Sequence, residues 1–120
     1  MNRKKGCTFV MKVHLIKKES IEIFAEANAR SRSSCREWLS KLKIANWDTP
    51  ADIQSTYGKA DLLGRGSSRV VFDIAGNNYR LICKYAFGER QVHLFVCWIG
   101  THAEYNELCK NNDQFTVSLY

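Results

Sequence analysis

Arg80 and Lys84 stand four residues apart in the β-rich run Asn78-Tyr79-Arg80-Leu81-Ile82-Cys83-Lys84-Tyr85. Strand alternation puts Arg80, Ile82 and Lys84 on one face and Tyr79, Leu81, Cys83 and Tyr85 on the other. On an open face the planar arginine fork grips a phosphate, and a lysine serves as a point charge or a base. Two exposed charges on the solvated side of a half-buried sheet are the commoner meaning of such a pair, and periodicity alone favours it. His102 and Tyr105, three residues apart, follow the last β-rich run and share one side of a helical turn. Histidine as a residue type moves protons near neutral pH, and tyrosine stacks on bases or donates a hydrogen bond. A lone histidine at a strand end is nonetheless more often a partner-bonded residue than a catalyst.

Other chemistries lack their residues. There is no Gly-rich phosphate loop, nucleophile elbow, H-E-x-x-H pair or EF-hand loop, which disfavours nucleotide hydrolysis and metalloprotease activity. The five cysteines (Cys7, Cys35, Cys83, Cys97 and Cys109) are scattered, odd in number and without a C-x-x-C pair. Reduced thiols are the expectation, ahead of disulfides or a zinc site. No metal and no cofactor is assigned.

The elements that must position these residues follow from the apolar period. Lys12-Val13-His14-Leu15-Ile16 alternates as a strand. From Glu19 the period becomes helical, with Ile21, Phe24, Ala25 and Asn28 on one stripe and Glu19, Glu22 and Glu26 on the other. Ala29 to Ser34 breaks that helix and offers serines to cap a second one, in which Cys35, Trp38, Leu39 and Leu42 face a core. Arg32, Arg36 and Lys43 then line up as a basic ridge along one flank, most simply a solvated helix edge. Ile44 to Gly66 resembles a linker, with a short helix begun near Thr49.

Arg69 to Ile74 and Asn78 to Tyr85 are strands joined through Ala75-Gly76-Asn77, and a third strand runs from Gln91 to Ile99. Ala103 to Leu108 looks like a helical turn capped by Thr101, and Gln114 to Tyr120 could be an added strand or disordered. The expected architecture is α+β: an N-terminal strand, two helices, then a three-stranded antiparallel meander, with the helices packed on one face of the sheet.

With 120 residues and 45% hydrophobic content the chain supports one core and not two domains. Its charge is lopsided: residues 1–44 hold eleven Lys and Arg against four Asp and Glu, and residues 45–120 hold seven against eight. A one-sided cationic surface suits phosphate backbones or an acidic protein partner. No run reaches the roughly 20 apolar residues that span a bilayer, and Lys12 and His14 interrupt any signal-peptide core. The expectation is a cytoplasmic protein with no membrane partner.

Three stretches in order, Val71-Phe72-Asp73-Ile74-Ala75-Gly76-Asn77, Tyr79-Arg80-Leu81-Ile82 and Gly100-Thr101-His102-Ala103-Glu104-Tyr105, resemble the HigB toxin family of the RelE superfamily. With His14-Leu15-Ile16 and the Asp48 to Asp61 segment, the resemblance covers about residues 11–110 as a toxin domain. Residues 1–10 remain as an N-terminal extension, expected to be poorly ordered, and residues 111–120 as a C-terminal tail. The resemblance implies a RelE-like fold and a metal-independent endoribonuclease that cuts mRNA in the ribosomal A site and so inhibits translation. It also implies a helix-turn-helix, HigA-like antitoxin as partner, with DNA reached only through the antitoxin complex.

On matching positions it implies that Arg80 stabilises charge on the scissile phosphate, that His102 and Tyr105 orient RNA or move protons, and that Lys84 assists. Arg32, Arg36, Lys43, Arg69 and Thr101 would contact RNA. One departure is Cys97, where the family carries Arg or Lys four residues before the Thr of Thr-His. It keeps open a weak or inactive homologue that binds RNA or antitoxin without cutting. A zinc protein using cysteines with His93 or His102 is a distant third.

Overall fold

Strand β1 (Lys12–Ile16) opens the fold, and Lys17, with a φ of 71°, turns the chain straight into helix α1 (Lys18–Ala27). The structure, a computed structural model, describes residues 11–120; the expected N-terminal extension lies outside them. A 3-10 turn over Ala29–Ser31 leads into α2 (Arg32–Lys43). Ser31 takes the N-cap position of α2 without capping it: its hydroxyl donates back to the Asn28 carbonyl at 2.7 Å. There follow α3 (Ala51–Thr56), β2 (Asp61–Leu62), β3 (Arg69–Ile74), β4 (Tyr79–Phe87), β5 (Gln91–Thr101) and α4 (His102–Lys110). A 3-10 turn over Asp113–Phe115 precedes the terminus.

The strands form one mixed sheet in the order β1-β5-β4-β3-β2. β1 runs parallel to β5 and the other pairs are antiparallel. In the β3–β4 turn the positive φ values fall on Ala75 (55°) and Gly76 (71°).

The first three helices cover one face, here called the helical face. Trp38 of α2 meets Phe72 of β3 edge-on at 5.1 Å, and Ile21, Trp47, Ile53, Leu81 and Leu94 fill the space around them. Fully burying each such side chain is worth about 1.5–3 kcal/mol before conformational entropy is charged. Trp47 and Ile53 are wholly buried, so the segment expected as a linker carries α3 and β2 and belongs to the core. Asp52 holds its entry, accepting from the backbone N–H of Asp48 at 2.7 Å and of Thr49 at 3.0 Å.

The fold class is α+β as expected, but the element plan needs two corrections. The sheet gains β2 and so has five strands. The helices do not all share one face, because α4 folds back on the opposite side. Tyr105 and Leu108, three residues apart on α4, need an apolar surface and find it in Val71, Ile82, Cys97 and Trp98.

That surface depends on a β-bulge. The β4–β5 register passes from Ile82↔Trp98 to Cys83↔Val96 and leaves Cys97 as the extra residue, so Cys97 and Trp98 both join the cluster on the α4 face. The tail is neither an added strand nor extended away from the body. Val117 packs into the same cluster, and the Leu119 N–H donates to the Cys97 carbonyl at 2.9 Å.

Candidate active site

Counting outward from the β3–β4 turn places Asp73 opposite Arg80, and Arg80 opposite Gly100 of β5. All three lie on the α4 face at the end of the sheet where α4 begins. Arg80 Nε stands 2.9 Å from Asp73 Oδ1, off the line of an aligned hydrogen bond, so the contact is an ion pair. The guanidinium carbon lies 5.2 Å from the centroid of the Tyr105 ring, within cation–π range. Trp98 closes the back of the site, its ring 6.3 Å from that of Tyr105. Burial, aided by the Cys109 thiol and the Asp61 carboxylate and opposed by Arg80, pushes the Tyr105 phenol above the ordinary tyrosine range. At physiological pH Tyr105 is therefore a neutral donor, not a base.

The start of α4 is built by a capping box. Thr101 Oγ1 accepts from the Glu104 N–H at 3.1 Å, and Glu104 Oε1 accepts from the Thr101 N–H at 2.8 Å. His102, the first residue of the helix, is anchored by its backbone N–H to the Asn78 carbonyl at 2.9 Å. Its ring Nδ1 is buried without a partner. Gly100 is required here: a Cβ would come within 2.6 Å of the Trp98 ring and 2.7 Å of Glu104 Oε1. Thr101→Ala, which removes the cap, is expected to cost about 0.5–2 kcal/mol, read as a lower urea midpoint, and to reduce activity through α4. An unchanged midpoint would show that packing alone sets the helix start.

Arg80 and Tyr105 thus meet beside the N-terminus of α4, where His102 is the first helical residue, whereas Lys84 does not join them. Four residues along β4 at about 3.3 Å each put its backbone roughly 13 Å away. It faces Arg69 of β3 directly. Arg69 is 6% exposed, and its Nη1 donates to the Gln114 carbonyl at 3.2 Å, so the C-terminal segment covers it. Beside these two cations sits Cys97. Burial raises its thiol above the ordinary range, while Arg69, Lys84 and Lys17 pull it the other way. The position where the resemblance implies a cation holds a neutral thiol that feels the charge of three of them. Thr101 contributes its hydroxyl to the cap.

The basic ridge lies on the far side of the molecule, because α2 packs on the helical face. Arg32 is spent on the end of α1, its Nε and Nη2 donating to the carbonyls of Ala25 at 3.0 Å and Glu26 at 2.9 Å. Arg36 lines a groove between α1 and α2 with Glu22 and Glu26, and Lys43 lies beside β1. The ridge and the Arg80 cluster do not form one surface.

Sequence reasoning passed over Asp73 and Trp98. Asp73 was findable, since the turn position sets the register and the register pairs it with Arg80. Trp98 was not, because strict alternation would assign Cys97 and Trp98 to opposite faces and only the bulge unites them. Among the described residues no three His, Cys, Asp or Glu side chains are placed to hold a metal ion, and no helix is long and apolar enough to cross a membrane. Cys35, Cys83, Cys97 and Cys109 are free thiols.

The chain aligns over 98 residues, at 26% identity, with the mRNA interferase HigB of Escherichia coli O6:H1, spanning 82% of this chain and 93% of that one. Residues 31–108, from the N-cap of α2 to the last turn of α4, match the model of the RelE-like toxic component of a toxin-antitoxin system. That span contains Arg80, Lys84, His102 and Tyr105, and the chain belongs to the HigB toxin family.

Proposed function

We propose that this chain is the toxin of a type II toxin-antitoxin pair and an endoribonuclease that cuts mRNA in the ribosomal A site without a metal. The observation that carries the reading is the contact of Arg80 with Tyr105 beside the start of α4, the helix that His102 opens. The matched relative is named an mRNA interferase, which supports the same reading.

In the reaction the ribose 2′-oxygen attacks the adjacent phosphorus and the bond to the 5′-oxygen breaks, leaving a cyclic phosphate and a free 5′-hydroxyl. Negative charge grows on the non-bridging oxygens, and Arg80 meets it there, exchanging Asp73 for phosphate in whole or in part. Tyr105, held protonated, donates a hydrogen bond to phosphate or base. His102 moves the proton lost by the 2′-hydroxyl or gained by the leaving oxygen. The ribosome supplies alignment, which suits a site that is a surface and not a deep pocket. The partner would be a helix-turn-helix, HigA-like antitoxin, the complex reaching operator DNA through it, and the place of action the cytoplasm. The toxin domain is residues 11–110, and residues 111–120 are a tail that packs on it.

A second reading has its own support: Cys97 lacks the charge implied at its position, and Asp73 already neutralises Arg80. On that reading the chain binds RNA or antitoxin without cutting. The deciding experiment is induction in a bacterial host without antitoxin, with RNA ends mapped on translated and untranslated copies of one transcript. Cuts confined to the translated copy, at fixed codon positions, are expected. Soluble folded protein that neither cuts nor arrests growth would instead establish the binder.

A further inference from the structure

Among the described residues, no element covers one half of the α4 face. Where the cover of α4 and the tail ends, the sheet carries a transverse row with one residue from each of four strands: Arg69, still under the tail, then Lys84, Phe95 and Ile16. The next row toward the sheet end is Ala86, His93 and His14. Phe95 is half-buried yet packs with neither apolar cluster. The His93 ring lies 6.4 Å from it at a tilt of 32°, and His14 meets His93 edge-on at 5.8 Å. His93 Nδ1 is buried without a partner.

Lys84 is exposed, and none of the ion pairs among the described residues engages it. Directly opposite it stands a second cation, Arg69, more than nine-tenths buried and bonded to a neutral carbonyl. Like charges facing each other across two strands oppose folding, and a buried cation without a counter-ion does so more strongly. An anion settling on this row would relieve both. An aromatic ring flanked by imidazoles and packed in neither apolar cluster, set beside the exposed cation of Lys84, is the composition of a surface that stacks bases and follows a phosphate backbone.

We propose that Lys84, Phe95, His93 and His14 form a nucleotide subsite for single-stranded RNA. The Phe95 ring and its imidazole neighbours stack one base, and Lys84, backed by Arg69, neutralises the adjoining phosphate. The proposal rests on the reading of mRNA as substrate. Because Lys84 and Arg80 are about 13 Å apart along β4, the subsite takes a nucleotide beside the bond that is cut, not at it.

The test uses the full-length protein without ribosomes and a short labelled 2′-O-methyl oligoribonucleotide, which lacks the attacking hydroxyl, alongside its abasic counterpart. Fluorescence anisotropy is read across a salt series. Wild-type protein is expected to prefer the base-bearing strand by roughly ten- to a hundredfold. Phe95→Leu, which keeps apolar bulk and loses the ring, should bind both strands equally, whereas Phe95→Tyr should retain the preference. Lys84→Ala should lower the salt slope by about one for both strands.

A folded Phe95→Leu variant that discriminates as wild type does, or a wild type that binds the two strands alike or not at all, overturns the subsite. Cleavage plays no part in this readout. Base preference in a protein that cuts no translated mRNA keeps the subsite and removes the nuclease, and cleavage without base preference does the reverse.

Discussion

Replacing Arg80 with alanine is expected to lower cleavage of translated mRNA by about 10²–10³-fold, the usual cost of deleting one donor from the charge-stabilising set of an active site. The variant has a structural side effect that must be separated from the chemical one. Asp73 loses its partner 2.9 Å away, and its side chain is only 23% exposed, so an unpaired carboxylate remains with limited access to water. That loss costs on the order of 1–3 kcal/mol, and Tyr105 also loses the cation over its ring.

The double variant Arg80→Ala with Asp73→Asn removes the stranded charge. Its urea midpoint should recover most of the way to wild type while cleavage stays as low as in the single variant. If stability and cleavage recovered together, Arg80 would be a structural residue whose only partner is Asp73. If the folded single variant cut at the wild-type rate, Arg80 would leave the site altogether.

The residues that converge and those that scatter do so for reasons of unequal visibility. Helices α1 and α2 were legible because their apolar stripes repeat at the helical period over ten and twelve residues. The partition of β4 into an Arg80 face and a Tyr79 face was legible for the same reason at period two. β2 was not, since a strand of two residues has no period, and its pairing with β3 is set by where the chain returns, not by its own side chains. The side on which α4 lands is likewise invisible locally. α4 has a single buried residue, Tyr105, and either face of the sheet offers apolar partners until the bulge at Cys97 commits one of them.

The same bulge governs how the site was read. By position, Cys97 is a cation lost; in the fold, the charges of Arg69, Lys84 and Lys17 all act on its thiol, from three elements that alternation treats separately. Lys84 was grouped with Arg80 because the two share a face, and sharing a face says nothing of distance along it. The ridge of Arg32, Arg36 and Lys43 was a correct helix-wheel construction whose orientation to the sheet no wheel contains.

Trp47→Ala is expected to have the largest effect on stability, about 3–5 kcal/mol, a large share of the total for a domain of this size. Trp47 lies in the stretch that composition presents as a connection, but its side chain is wholly buried. It also joins elements far apart in sequence. Its backbone N–H donates to the Met11 carbonyl at 3.2 Å, and the neighbouring Asn46 side chain accepts from the Met11 N–H at 2.8 Å, fastening this segment to the entry of β1. Its indole Nε1 donates to Thr56 Oγ1 at 2.9 Å, at the end of α3, and its ring meets Tyr57 edge-on at 6.4 Å.

Tyr57 in turn stacks on Trp38 at 5.4 Å and touches Phe72 at 5.0 Å, so a cavity at Trp47 loosens the aromatic group beneath β3. Trp47→Phe keeps most of the volume and gives up the indole bond, and should cost nearer 1 kcal/mol. Urea unfolding followed by far-ultraviolet circular dichroism measures both. Two variants of equal and small cost would mean that the segment is the peripheral linker its composition suggests, and that β1 and α3 hold their places without it.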